Sequence, residues 1–485
     1  MAVQQSPSPA VPPEGIARAA EKAEKSGNGG IDAVLDRIGF NRAQWVVLIL
    51  VLSGMFFSAL EENALGAIAG GLDAAFSTTT QQLALMATFE TIGFIVGRLL
   101  AGYLGDKYGR RSALSLNLLL YTLGGLLTAI APNMIMFTAF RFIVGIGLGG
   151  EFTIGLAMIS EMVSTRYRGT VSASLNIGSG GIGNFVAYAV FLLVLGPLNG
   201  VLGGTAFSWR WLLVILAVPA LMVVFFRRYL PESPRYLLSK GNLKEANRVL
   251  TVLETGKLRT KISDEQIKPF LTEADIPKPS IEVRSPIALL FTKASLRRIL
   301  SLGVASWMSF GANGTLFVLL PALLINSGYS ITESLAFTMV TNLGSLIGAS
   351  AAAALAGKVA RKRVLVTGAI AGCVVGIAFA TLAHGPALIM LFGALFKICA
   401  MLLNTTLAAW WPEQFPTPVR ARGTSVLNAI STSSSAIMPL IAASVSAAAG
   451  LSGVFVMFAA MYAVIVVMVL IPPETRGRSL EEING

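Results

Sequence analysis

The chain has 485 residues, of which 54% are hydrophobic and only 13% charged, with a mean hydropathy of +0.71. A soluble domain of this length needs far more charge to cover its surface, which excludes that class. The net charge of +12 is compatible with nucleic-acid binding, but the placement of the charges argues against such a partner.

Residues 1–28 are rich in Pro, Ser, Ala and charge. They lack the apolar core of an export signal and read as a disordered cytoplasmic tail. Over 29–44, Ile31, Val34, Leu35 and Ile38 fall on one helical face, the pattern of a short helix lying at the membrane interface. Apolar runs of roughly 20 residues, enough to cross a bilayer, then lie near 45–69, 82–104, 112–131, 134–156, 170–196 and 209–228. They make a first six-helix bundle over 45–228. A polar, basic linker with short helices occupies 229–295. Six more runs, near 296–325, 333–357, 363–382, 386–409, 422–447 and 452–471, make a second bundle over 296–471, followed by a cytoplasmic tail over 472–485. The expected fold is therefore an all-α membrane protein with twelve transmembrane helices in two pseudo-symmetric six-helix bundles. In such a plan the substrate sits near the bilayer midplane, between the halves.

Lys107, Arg110 and Arg111, then Arg166 and Arg168, the central linker, Lys358 to Arg363, and Arg476 with Arg478 mark alternate connections. Basic loops resist translocation, so both termini are expected in the cytoplasm and the protein in the inner (plasma) membrane. Gly145 and Gly149, like Gly344 and Gly348, are four apart, a spacing that lets helices approach closely. Gly178, Gly180 and Gly183 formally match a dinucleotide fingerprint, but no strand precedes them, and helix packing is the better reading. Cys373 and Cys399 fall inside apolar runs and are expected as buried thiols. His384 falls in a short outer loop. No nucleophile–base constellation or metal-ligand spacing is present, so neither an enzyme nor a metal or cofactor site is expected.

The first hairpin, Gly102-Tyr-Leu-Gly-Asp106-Lys-Tyr-Gly-Arg110-Arg111, resembles the signature between the second and third helices of the major facilitator superfamily. Four more elements are similar to its sugar-porter-like branch: Arg141 to Glu151 with Glu161 and Arg168, the run Pro231-Glu232-Ser-Pro-Arg235, the loop from Glu413 through Arg420 and Arg422, and the tail motif from Pro473-Glu474. The resemblance implies secondary transport by alternating access. It also implies a cytoplasmic gate built from Gly102, Asp106, Arg110, Arg111, Glu151, Glu161, Arg168, Glu232, Arg235, Glu413, Arg420, Arg422 and Glu474. In the second half Arg361 answers to Asp106, which predicts an asymmetric charge lock resting on the first half. Sugar porters carry a glutamine where this chain has Asn176, and a glutamine pair where it has Trp307-Met308. A hexose left without those partners would lose affinity heavily. The acidic patch Glu61-Glu62 instead resembles that of aromatic-acid/proton symporters and nicotinate or synaptic-vesicle-like transporters.

Ionisable groups inside spans cost about 2.5–3.5 kcal/mol each on insertion scales and usually have a function. Glu61 lies about 24 Å up the first span and Arg141 about 14 Å down the fourth, so both fall in the outer half of a layer about 30 Å thick. They are the expected proton-coupling pair, with Glu62 as a second proton site and Glu90 at similar depth. Glu151, in the inner half, is a further coupling or gate candidate. Lys397 falls near the midplane of the tenth span and favours an anionic ligand, because a lone ammonium there needs a counter-charge. Asn176, Trp307, Phe310, Asn313, Phe317, Asn404 and Trp410 complete the expected substrate site. The expected activity is uptake of a small organic anion, an aromatic or heterocyclic carboxylate, with protons, by a monomer in the lipid bilayer. The alternatives are drug or metabolite efflux by proton antiport, a sugar or polyol porter, and a non-transporting membrane sensor.

Overall fold

A computed structural model describes residues 29–163, 182–258, 262–276, 290–356, 358–415 and 419–475. The first half contains α1 (Gly29–Ile38), α2 (Arg42–Ala67), α3 (Ala69–Phe76), α4 (Thr80–Tyr108), α5 (Arg110–Ala129), α6 (Met134–Met162), α7 (Asn184–Leu195), α8 (Thr205–Leu216) and α9 (Met222–Tyr229). The linker holds α10 (Pro234–Ser239) and α11 (Leu243–Thr255). The second half contains α12 (Lys293–Asn326), α13 (Ile331–Leu355), α14 (Arg361–Leu382), α15 (Pro386–Trp410) and α16 (Arg420–Leu470).

Among the described residues, ten helical stretches are long and apolar enough to cross a membrane. The last holds two spans, because Gly450 at φ 64° breaks α16, and the apolar α7 belongs to the remaining one. Twelve membrane helices in two six-helix halves follow. A 3-10 turn at Val218–Leu221, with Pro219 at its start, joins α8 to α9 within one span.

The helix starts follow local chemistry. Asn41 and Gln44 form a capping box at α2, as Thr79 and Gln82 do at α4 and Ser330 and Glu333 at α13. Each box satisfies backbone donors that a helix start leaves open. The apolar face of α1 does not lie bare. Ile31, Val34 and Leu35 pack into a core with Val47 of α2 and Leu250 and Leu253 of α11, and Asp32 pairs with Arg235 of α10. The linker helices thus dock on the first half, at the end we call basal.

The four-apart glycines sit at equivalent helix crossings in the two halves. A Cβ on Gly145 or Gly149 would come 2.1 or 2.0 Å from the carbonyl oxygens of Glu90 and Phe94 on α4. A Cβ on Gly344 or Gly348 would come 2.4 Å from the carbonyls of Ala394 and Ile398 on α15. Without glycine the backbones could not pack this closely.

Polar contacts between the halves start at the far end, where Asn326 donates to Thr80 Oγ1 at 2.8 Å. Tyr188 donates to the Phe317 carbonyl and Thr88 to the Ala436 carbonyl. Among the described residues the most basal such contact is Arg98 to Asn428 and Thr432, ten residues above the end of α4, or about 15 Å.

Gly145→Leu should therefore separate α4 from α6 and destabilise the fold by about 1–3 kcal/mol or more. A lower unfolding temperature of the detergent-solubilised variant checks this, and an unchanged temperature would show that the crossing tolerates a side chain.

Candidate transport cavity and charge network

Arg141 of α6 is fully buried and bridges two carboxylates. Its Nη1 donates to Glu61 Oε1 of α2 at 2.7 Å. Its Nη2 and Nε donate to Glu90 Oε1 and Oε2 of α4 at 2.5 and 3.1 Å, a bidentate pair. Nη2 also reaches the Glu61 carbonyl at 3.3 Å. Glu61 is 3% exposed. Planar two-point contacts of this kind are the strong, oriented form of the carboxylate–guanidinium bond. The triad ties three helices of the first half together. With both carboxylates ionised it carries a formal charge of −1, which a single proton removes. Glu90, set beside the Glu61–Arg141 pair by its depth alone, holds Arg141 through both carboxylate oxygens, whereas Glu61 uses one carboxylate oxygen and its backbone carbonyl.

Beside the triad, between the halves, lies a cavity of about 290 Å³. The first half lines it with Ser58, Glu62, Phe94, Arg98, Phe152 and Asn184, and the second with Phe310, Asn313, Phe317, Met401, Asn428, Thr432 and Ser435. Glu62, one residue past Glu61 and so about 100° around the helix, opens into the cavity, whereas Glu61 turns into the bundle. Arg98 lies 4.5 Å over the Phe94 ring and donates to Asn428 Oδ1 and Thr432 Oγ1, both at 3.1 Å. Among the described residues it makes no ion pair.

The expected substrate residues divide into groups. Phe310, Asn313 and Phe317 line the cavity. Lys397 lies one layer behind: it is 3% exposed, and its Nζ sits 3.6 Å from the centre of the Phe317 ring. Asn404 also points away from the cavity, accepting from Ser309 Oγ at 2.6 Å. Trp410 is not part of the lining, since its indole donates to Thr475 Oγ1 at 3.0 Å. Trp307 is half-buried in the packing of the second half. Asn176 and Arg168 lie outside the described residues.

Sequence reading counts Arg98 among the ionisable groups inside spans without assigning it a part, and gives no role to Asn428, Thr432 or Ser435. The signal was present. Asn428, Thr432 and Ser435 recur at helical spacing inside an apolar run, and Arg98 is an ionisable group in a span.

The gate residues form one cluster in each half. In the first, Arg110 pairs with Asp106 at 2.6 Å and Glu161 at 3.0 Å. The Glu232 carboxylate accepts the backbone N–H groups of Arg110 and Arg111 at 2.8 and 3.1 Å. Burial pushes the Glu232 carboxyl above its ordinary value, and these backbone donors pull it back. Gly109, at φ 97°, leaves the room, since a Cβ there would sit 2.2 Å from Glu232 Oε2. In the second half Glu474 accepts from the backbone of Arg361 and Lys362 at 3.3 and 2.9 Å, and Arg361 pairs with Glu413 at 3.1 Å. Arg361 therefore takes the place of Arg110 at a helix start, not that of Asp106. The expectation of an asymmetric lock is corrected in part: the carboxylate-capped helix start and its Arg–Glu pair repeat in both halves, but the residue four before Arg361 is Gly357, so the Asp106–Arg110 pair belongs to the first half alone. Gly102 lies in the last two turns of α4 with open space beside it. Arg111 opens α5 beside Arg110, and Arg420 and Arg422 open α16. Glu151 lies inside the first half, and among the described residues its carboxyl has no hydrogen-bond partner.

A family profile described as "Sugar (and other) transporter" matches residues 42–485. The niacin transporter NiaP of Acinetobacter baylyi is 28% identical, covering 93% of this chain and 98% of its own. The putative metabolite transport protein YncC of Bacillus subtilis is 30% identical, over 90% of this chain and 93% of its own. Among solved structures, the inward open conformation of the xylose transporter XylE from Escherichia coli superposes with a TM-score of 0.71 at 17% identity, covering 91% of this chain and 99% of that one. That likeness concerns the fold.

Because Glu232 caps a helix start through several backbone donors, Glu232→Ala should cost about 1–3 kcal/mol. Glu474→Ala should cost a comparable amount in the second half. Parallel thermal unfolding of the two variants tests the repeat, and a large loss in one with none in the other would break it.

Proposed function

The chain belongs to the sugar (and other) transporter family of the major facilitator superfamily, and we propose that it is a proton-coupled uptake symporter for a small organic anion, an aromatic or heterocyclic carboxylate. The observation that carries the coupling is the buried triad, in which one guanidinium holds two carboxylates beside the cavity. A proton arriving at Glu61 or Glu90 neutralises the group and weakens its bond to Arg141. That frees α2 or α4, which also line the cavity, to shift against the second half. The basal end, where the basic loops gather, is taken as cytoplasmic, and the membrane as the inner membrane.

The anion preference rests on the cations around the cavity. Arg98 faces it without a carboxylate partner among the described residues, and Lys397 stands behind Phe317. Phe94, Phe152, Phe310 and Phe317 supply flat apolar walls on which a ring can stack. Glu62 lies within electrostatic reach of both cations and discourages an anion until it is protonated or turned away, so substrate and proton are expected to enter together. The name of the Acinetobacter relative supports this reading, since niacin is a pyridine carboxylate.

Proteoliposomes with an imposed inward proton gradient and radiolabelled nicotinate as probe decide the matter. Wild type should accumulate the label. Glu61→Gln should lose accumulation but keep nicotinate counterflow, and undiminished accumulation by the variant removes Glu61 from coupling. If xylose competes with the label and other carboxylates do not, the anion preference is wrong. Arg98→Gln should weaken nicotinate binding by about tenfold or more, the loss of one charge-assisted hydrogen bond. Isothermal titration reads this directly, and equal affinity would exclude Arg98 from the site.

A further inference from the structure

Glu151 lies on α6, ten residues and so about 15 Å below Arg141. Its side chain is fully buried. Oε1 occupies space left by Gly54 of α2, where a Cβ would come within 2.5 Å of it, and Phe226 of α9 closes the same spot. Among the described residues neither carboxyl oxygen has a hydrogen-bond partner, nor do Asn117 Nδ2, Tyr121 Oη and Thr122 Oγ1 on the facing α5. Buried polar groups are rarely left unmatched, and a cluster of them marks a place where protons or water move.

The cluster has a direction. Asn117, Tyr121 and Gly125 are four apart and so lie on one face of α5. The Asn117 side chain packs on Gly150, the neighbour of Glu151, while Tyr121 packs on Gly147. At the other end, Gly125 lies 3.4 Å, measured from a Cβ built on it, from Glu61 Oε1. The Tyr121 hydroxyl is within electrostatic reach of both Glu151 and Glu61. This face therefore runs from one carboxyl to the other inside the first half. Leu148 and Phe152 of α6 line the substrate cavity, whereas Glu61, Asn117, Tyr121 and Glu151 are not part of its lining.

We infer that Glu151 is a second proton-carrying carboxyl of the transporter, exchanging its proton with Glu61 through the Tyr121 hydroxyl by a route sealed from the substrate. The inference rests on the proton-coupled reading above. A carboxylate buried with neither cation nor donor is a costly state, whereas the acid carries no net charge and has a proton to donate. Among the described residues, the groups facing Glu151 supply no competing ion pair. From α2 they are Gly54 and, further up, Glu61; from α5, Asn117 and Tyr121; from α9, Phe226. Arg98 of α4 lies 5.8 Å from the ring of Phe152 and turns to Asn428 and Thr432. The Tyr121 hydroxyl touches neither carboxyl, so the transfer takes one water on each side of it. The Glu61 O–H bond breaks as its proton joins the first water, which gives one of its own to the Tyr121 oxygen. The phenol's proton leaves for the second water, which protonates the Glu151 carboxylate, and Tyr121 and both waters end neutral as they began. The reverse sequence restores Glu61.

Infrared spectroscopy of protein reconstituted in liposomes tests this without a substrate. Wild type should show a protonated-carboxyl C=O band that Glu151→Gln removes and Tyr121→Phe retains. On transfer to D₂O, the deuterium shift of that band should slow by about a hundredfold in Tyr121→Phe, the low end for loss of a positioned proton carrier. A band untouched by Glu151→Gln overturns the assignment, and an unaltered exchange rate in Tyr121→Phe overturns the relay. Glu151→Asp, which keeps an acid but should move the band, serves the same purpose if the Gln variant does not fold. The two ideas fail separately. Wild type that shows the band but does not accumulate nicotinate against a proton gradient sinks the symport reading. Accumulation without the band sinks only the role of Glu151.

Discussion

Arg141 determines much of how this protein is built. A guanidinium cannot shed its proton, so one buried this completely needs acceptors around it, and at Arg141 these are carboxylates that the helices must come close enough to supply. Glu61 comes from α2 and Glu90 from α4. The second requires the glycine crossing of α4 on α6, because Gly145 packs directly on the Glu90 backbone. Packing and chemistry are thus one constraint: a bulkier crossing would carry Glu90 away from the cation it neutralises. With both carboxylates ionised, the resulting group holds one positive and two negative charges.

The cavity next to the triad has a different character. Its charges, Glu62 and Arg98, are accessible from the space between the halves, and amides, hydroxyls and aromatic rings fill the rest. Adjacent residues on α2 divide the work. Glu61 faces inward to the structural cation while Glu62 faces the space a substrate would fill. That division follows from the 100° turn between neighbours on a helix. Lys397 is held behind an aromatic ring rather than in the open, which shields its charge from the cavity but leaves it near the surface Phe317 presents.

Much of this was legible in the sequence because depth in a membrane can be counted. Counting Glu61 up the first span and Arg141 down the fourth placed both in the outer half, and the structure joins them. Counting does not give direction around a helix. It therefore put Trp410 among the cavity residues, although its indole turns to Thr475, and it ranked Glu90 below its place. The register of Arg361 was misread for another reason. With Lys358 set against Lys107, Arg361 falls opposite Arg110 and Gly357 opposite Asp106, the register in which Glu474 caps its helix start as Glu232 does. The polar stripe of Asn428, Thr432 and Ser435 was visible but gained meaning only once Arg98 was seen to meet it from the other half.

The paired caps at the basal end have a mechanical result. Glu232 follows the last helix of its half and grips the beginning of the third, and Glu474 does the same in its own half. Each six-helix unit is thereby laced shut on itself, like a barrel hooped at one rim, and no hoop crosses to its neighbour among the described residues. Two separately hooped bodies joined near the opposite rim can tilt about that seam without either losing its shape.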